Sequence, residues 1–291
     1  MNINTNISSI VTRSFLNSNQ AGLEKAMERL SSGKRINSAA DDAAGLSITT
    51  RMYTQTRGKE VAMRNANDGI SLIQTAESSL GSISNILQRM RELAVQADNG
   101  TYSSTDKDAL QSEMAQLVSE IKNIAENTHF NGIKLLDGLG GPVGLHIGDG
   151  ASDTLSFNLM NAKTDTIGGY STTLAGASTT LFIKDITVNG AAQDDTLSNA
   201  QVAIGVIDKA LDEVSSKRAE FGALQNRLEF TIDNLNSAKT NTESARSRIE
   251  DADMAAEASN MTKQNVLVQS SVAMLTQANQ APQQVLQLLQ N

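Results

Sequence analysis

From Ile48 onward, seam positions recur every three or four residues without a slip, through Met52, Gln55, Lys59, Ala62, Ala66, Gly69, Ile73, Ala76, Leu80, Ile83, Leu87, Met90, Ala94 and Ala97. This is the period of one face of an α-helix. It predicts a single helix of about fifty residues, about 75 Å long at a rise of about 1.5 Å per residue. The same seam returns at Ile204, Ile207, Leu211, Val214, Arg218, Phe221, Gln225, Leu228, Ile232, Leu235, Lys239, Thr242, Arg246 and Ile249. Asp98, Asn99 and Gly100 stop the first helix, and residues 103–106 offer caps for another that carries Leu110, Met114, Leu117, Ile121 and Ile124. Two long helices of matched length about an insert are expected side by side, as an antiparallel helical rod.

The two ends form a second pattern. Residues 264–291 contain no charged residue and place Asn265, Val268, Val272, Leu275, Asn279, Pro282, Leu286 and Leu289 at 3,4 spacing, with amide side chains over much of the remaining surface. Residues 1–12 are also free of charge and put Ile3, Ile7 and Ile10 on one helical face, which Leu16, Leu23 and Leu30 continue. The termini are therefore expected to pair as a core domain. Burying Val268, Val272, Leu275, Leu286 and Leu289 gains about 1.5 to 3 kcal/mol each. Ordering such segments costs about 1 to 2 kcal/mol per residue in backbone entropy. A two-stranded seam is marginal on these terms, so further copies of the same seam are expected to complete it. An ordinary terminal helix on a globular core is the alternative, and the absence of charge over so long a tail argues against it.

Between these patterns lie linkers and an insert. Ser31, Ser32 and Gly33 stop the first helix, and Asp41 and Asp42 sit where the next helix begins, near the positive end of its dipole. The stretch lacks the glycine spacing of a phosphate loop. Asn131 and Gly132 signal a turn, and residues 138–198 are rich in Gly, Ser and Thr, with strands expected at 143–147, 154–159 and 181–188, the last closed by Asn189 and Gly190. Residues 171–180 are expected as an exposed loop whose hydroxyls, Ser171, Thr172, Thr173, Ser178, Thr179 and Thr180, are candidates for O-linked sugars. The domains are thus 1–40, 41–137, 138–198, 199–250 and 251–291.

Composition removes several functional classes. A net charge of -8 disfavours nucleic acid and anionic membranes as partners. With no cysteine there is neither a disulfide framework nor a thiolate metal site. Residues 1–11 lack the basic segment and apolar core of a signal peptide, and no apolar run approaches membrane-spanning length. His129 and His146 have no partner at catalytic or metal-ligand spacing, and the adjacent pairs Asp41/Asp42 and Asp194/Asp195 read as cap and loop residues. Neither an enzyme nor a cofactor is expected.

The segments LSSGKRINSAADDAAGL, RNANDGISLIQTAE, LQRMRELAVQ, FNGIKLLDG, SRIEDADMAAE and QANQAPQQVLQLL, in this order, resemble those of bacterial flagellin. The resemblance covers about the first 140 and last 95 residues. It implies a mainly α fold, an antiparallel coiled-coil rod with paired terminal helices and a small β-rich insert at the far end. It also implies a subunit that polymerises into the extracellular flagellar filament for swimming, with a hook-filament junction protein as the alternative. The implied partners are further copies of the chain, an export chaperone, the type III flagellar export apparatus, the filament cap and hook-associated proteins, and a host Toll-like receptor. Residues matching the receptor contact are Gln88, Arg89, Leu93 and Glu113; read from the helices alone, Arg89 and Glu113 are a charged face. Gln290 and Asn291 depart from the family, many of whose members end in a basic residue.

Overall fold

The computed structural model describes residues 5–138, 141–150, 152–174, 177–188 and 198–289, and the side chains of these except at 170, 172–174, 177–181 and 281–289. In chain order the elements are α1 (Ile7–Ser32), α2 (Ala43–Asp98), α3 (Ser104–Asn127), β1 (His129–Phe130), β2 (Ile133–Lys134), β3 (Val143–His146), β4 (Thr154–Phe157), β5 (Tyr170–Leu174), β6 (Ala177–Leu181), a 3-10 turn (Ile183–Asp185), α4 (Asn199–Glu250) and α5 (Met254–Leu289). The fold is mainly helical, and the long periodic stretches became helices of 56 and 52 residues. The chain divides into two units, one of Met1–Arg57 with Ala238–Asn291 and one of Gly58–Ser237.

In the 58–237 unit the predicted seam is the core. Ala62, Ala66, Ile73, Ala76, Leu80, Ile83, Leu87, Met90, Ala94 and Ala97 of α2 are all at most 1% exposed. From Ala66 on they meet Met114 and Ile121 of α3 and Val206, Ile207, Val214, Phe221 and Leu228 of α4 in one cluster. Ser103 starts α3 as expected, since its hydroxyl accepts the Asp106 N–H while the Asp106 carboxylate accepts the Ser103 N–H. At the other end of α3 the Thr128 hydroxyl donates to the Ile124 carbonyl at 2.6 Å, and Asn131 (φ +49°) with Gly132 (φ +80°) then turns β1 antiparallel onto β2. Two consecutive left-handed residues match the twist that a two-residue hairpin needs.

The insert departs from expectation in two places. Residues 171–174 and 177–180, read as loop, instead lie in the paired strands β5 and β6, in which Ser171 faces Thr180 and Thr172 faces Thr179; β-branched threonines suit a pleated strand better than a coil. Residues 181–188, read as a strand, hold only the end of β6 and then the 3-10 turn, whose start is fixed by the Asp185 carboxylate accepting the Phe182 N–H at 3.1 Å. Ile183, Ile186 and Val188 from this stretch are buried in the helical core. Their apolar character served packing, not strand pairing. Asn189, Gly190, Asp194 and Asp195 lie outside the described residues.

The seam of α2 changes stripe in the other unit. Ile48 is 36% exposed and Gln55 is exposed, whereas Thr49 and Thr56, one position away, are buried. Ile83→Ala should therefore lower unfolding stability by about 2 to 5 kcal/mol through the cavity it leaves, whereas Ile48→Ala should cost less than about 1 kcal/mol. Chemical denaturation of the two variants checks this, and equal losses would contradict the change of stripe.

Candidate assembly surface

In the terminal unit, α1 starts at Asn6, whose Oδ1 accepts the Ser9 N–H, and stops at Gly33 in the left-handed conformation (φ +71°) with its N–H bonded to the Arg29 carbonyl. A glycine is needed there because a Cβ disfavours that conformation. Asp253 starts α5 by accepting the N–H groups of Ala255 and Ala256. Pro282 lies inside α5 and has no N–H to offer the carbonyl four residues earlier. That carbonyl, of Ala278, instead accepts the Asn6 Nδ2 at 2.8 Å. One side chain thus caps α1 and closes the gap that the proline opens in α5.

The inward stripes of the two helices alternate large apolar residues with small and polar ones. Along α1 the covered positions are Ser9, Thr12, Leu16, Asn19, Leu23, Ala26 and Leu30; along α5 they are Met261, Gln264, Val268, Ser271, Leu275 and Ala278. Both keep strict 3,4 spacing, as a two-stranded coiled coil requires. Asn19 Nδ2 donates to the Ser271 hydroxyl at 3.0 Å across the seam, and Gly22 leaves room for the Gln264 side chain. The apolar stripe points outward: Ile7 is 65%, Ile10 62%, Phe15 63% and Met274 61% exposed, and Val11, Val266 and Val272 are exposed beside them.

The eight residues expected to form one seam therefore separate. Val268 and Leu275 are half-buried against α1, whereas Ile7, Ile10 and Val272 face outward; Ile3 and the side chains of Leu286 and Leu289 lie outside the described residues. A 3,4 pattern fits two adjacent stripes of one helix. The polar bonds from Asn6 and Asn19 hold the inward one. Val11 and Phe15 were not picked out, although Ile7, Val11 and Phe15 recur every four residues on the same face.

Charge gathers where this pair meets its linkers. Lys34 pairs with Glu250, Arg35 donates to the Ile249 carbonyl, and backbone bonds join Arg35 to Glu250 and Ala252 to Gly33. The Asp41 carboxylate takes Lys25 at 2.7 Å and also accepts the N–H groups of Asn37 and Ser38. The bond from Lys25, ahead of those from Ser38, holds its pKa well below the ordinary carboxylate value. Asp42 caps α2 by accepting the Gly45 N–H.

In the 58–237 unit, Arg89 forks onto Glu113 (2.9 and 3.1 Å) and reaches Glu92, and the bond to Glu113 raises its pKa. Gln88, Arg89 and Glu113 are exposed. Leu93 is 1% exposed and belongs to the core, so it does not share that face. His129 and His146 are exposed, and among the described residues no group of three His, Cys, Asp or Glu side chains could hold a metal ion. Among them, too, no helix is long and apolar enough to cross a membrane.

Long helices whose terminal pair carries an exposed apolar stripe define a class of helical proteins built to pack against further helices. Comparison with known proteins gives the family. The bacterial flagellin N-terminal helical region matches residues 3–140, and the bacterial flagellin C-terminal helical region matches residues 204–289. The flagellin of Halalkalibacterium halodurans is 50% identical over 94% of this chain and 93% of its own, and that of Bacillus subtilis is 46% identical over 99% of this chain and 100% of its own. The crystal structure of Bacillus cereus flagellin aligns with a TM-score of 0.47 at 36% identity, covering 63% of this chain and 94% of that one. The chain belongs to the bacterial flagellin family and is a structural subunit of the flagellar filament.

Because the pKa of Asp41 is depressed in the folded chain, its contribution is present above the unfolded carboxylate value of about 3.9 and is lost as pH falls below it. In thermal unfolding of the assembled protein, Asp41→Asn should be less stable than the parent at pH 6. The gap should narrow as pH drops toward the depressed pKa, and a gap that widens on acidification would contradict this linkage.

Proposed function

We propose that the outer stripe of α1 and α5 is the polymerisation core, buried by neighbouring copies, and that the two ends gain stable order only on assembly. The exposure of Ile7, Ile10 and Phe15 carries this reading. Each such side chain gains about 1.5 to 3 kcal/mol when buried, against about 1 to 2 kcal/mol per residue lost in ordering the backbone. The inward stripe, in which Leu16, Leu23, Leu30, Met261, Val268 and Leu275 alternate with Ser9, Thr12, Asn19, Gln264 and Ser271, supplies only part of that gain. Ile3, Leu286 and Leu289 belong to the polymerisation core in this reading.

Loose apolar ends suit passage of an unfolded chain through a type III flagellar export apparatus and give an export chaperone a segment to hold. The filament is then extracellular and serves swimming, with the filament cap and hook-associated proteins at its ends. The relatives matched over nearly their full length are flagellins, which does not favour a hook-filament junction protein. In the 58–237 unit, α2, α3 and α4 act as the antiparallel coiled-coil rod, with residues 138–198 as its β-rich insert. On the β5–β6 hairpin, Ser171, Thr172, Thr173, Ser178, Thr179 and Thr180 are the candidate O-glycosylation residues. A host Toll-like receptor contacts Gln88, Arg89 and Glu113 in this reading, and Leu93 supports them from behind.

Two outcomes test this. In seeded polymerisation, Ile10→Ser with Phe15→Ser should abolish filament growth while leaving the thermal unfolding of the 58–237 unit unchanged; normal growth would remove the terminal face from the polymer core. Arg89→Ala with Glu113→Ala should weaken receptor signalling at unchanged helicity, since exposed helix substitutions cost little stability, and full signalling by that variant would remove these two residues from the contact.

A further inference from the structure

The chain has no cysteine and no tryptophan, but it has 10 methionines. A two-electron oxidant such as hydrogen peroxide therefore meets thioether sulfur first. Burial divides these sulfurs between the two units. Met90 and Met114 are 0% and Met160 is 9% exposed, all in the 58–237 unit, whereas Met27, Met254 and Met274 are 46%, 48% and 61% exposed, all in the terminal unit. Met52, Met63 and Met261 are half-buried.

Met274 differs from the other two exposed methionines in its surroundings. Lys25, Glu28 and Arg29 flank Met27 in the chain, and Asp251, Asp253 and Glu257 flank Met254. An oxygen added to either sulfur stays among hydrated charges. Met274 lies in the charge-free stretch 264–291, two helical turns after Leu267, which is itself 37% exposed, so the two share one outward stripe. This apolar surface is the one that the polymerisation reading buries against neighbouring copies. Oxidation converts a flexible apolar side chain into a polar one with a strong hydrogen-bond acceptor, and burying an acceptor with no donor opposite it is costly.

We propose that Met274 is a reversible oxidation site that controls entry of the free subunit into the filament; this rests on the filament reading and adds a control to it. A lone pair of the Met274 sulfur takes an oxygen atom from hydrogen peroxide: the S–O bond forms, the O–O bond breaks and water leaves. Sulfur loses two electrons and the peroxide gains them. A dithiol reductase reverses the step, releasing the oxygen as water while its two thiols become a disulfide. The oxidised subunit carries a polar oxygen into a surface that must be dry, so it stays out of the polymer. In the filament the same sulfur is covered, and the control acts on the free subunit alone.

Seeded growth after hydrogen peroxide treatment of dilute subunit is the test. Peptide mass spectrometry should find sulfoxide at Met27, Met254 and Met274 and none at Met90 or Met114, and the critical concentration for growth should rise about ten- to hundredfold. Reduction by methionine sulfoxide reductases specific for the two epimers should restore growth. Met274→Leu should keep growing after peroxide, whereas Met27→Leu with Met254→Leu should stay as sensitive as the parent; the second variant decides the matter even where the first grows poorly. Unchanged growth of the oxidised parent, equal inhibition of oxidised Met274→Leu, or lost sensitivity in the double leucine variant would overturn the site. Any of these, with Ile10→Ser and Phe15→Ser together still blocking growth, would leave the polymerisation core standing. Normal growth of that serine variant would overturn the core and this control with it.

Discussion

A helix pair whose inner stripe mixes Leu, Met and Val with Ser, Thr, Asn and Gln, while a second, apolar stripe stays in water, is the constraint on which the rest of the terminal unit depends. The bonds from Asn19 to Ser271 and from Asn6 to the Ala278 carbonyl set the register of α1 against α5. Hydrogen bonds of this kind contribute only about 0.5 to 1.5 kcal/mol net, but mispairing them leaves a buried polar group unsatisfied, at a cost of about 1 to 3 kcal/mol. The seam is therefore specific without being strong. What remains outside, Ile7, Ile10, Phe15 and Met274, is too large an apolar exposure to be incidental in a chain whose other unit buries its seam almost completely.

The contrast between the units is physical. From Ala66 to Ala97, α2 has partners on α3, α4 and the insert, so each Leu, Ile or Met on its seam is enclosed on several sides. Helices α1 and α5 have chiefly each other within their unit, and two helices cannot cover more than one stripe apiece. Ion pairs fasten the junctions: Lys25 to Asp41, Arg29 to Glu257 and Lys34 to Glu250. In each pair the carboxylate is largely covered, and the pairs fix where the linkers run.

Much of this was legible from residue spacing. The helices carrying Ile83 and Phe221, the cap at Ser103 and the turn at Asn131 all follow from local chemistry. Two things were not legible. Periodicity names a helical face only to within a neighbouring stripe, so the choice between Thr49 and Ile48, or between Ser271 and Val272, depends on what the partner helix offers. In the insert, Ile183 and Ile186 carry the apolar signature of a strand, but their burial in the helical core is tertiary and leaves no local mark. Met274 was assigned to no seam because nothing in the sequence distinguishes an exposed methionine from a buried one.

Amide hydrogen exchange along the whole chain, in dilute monomer and in filaments, tests the coupling of terminal order to assembly most directly. The expected pattern is fast exchange across α1 and α5 in the monomer, slow exchange there in the filament, and slow exchange at Ile83, Leu87 and Met90 in both states. Protection of α1 and α5 in dilute monomer equal to that around Ile83 would contradict the account, because it would mean that the seam between the two helices alone holds the ends.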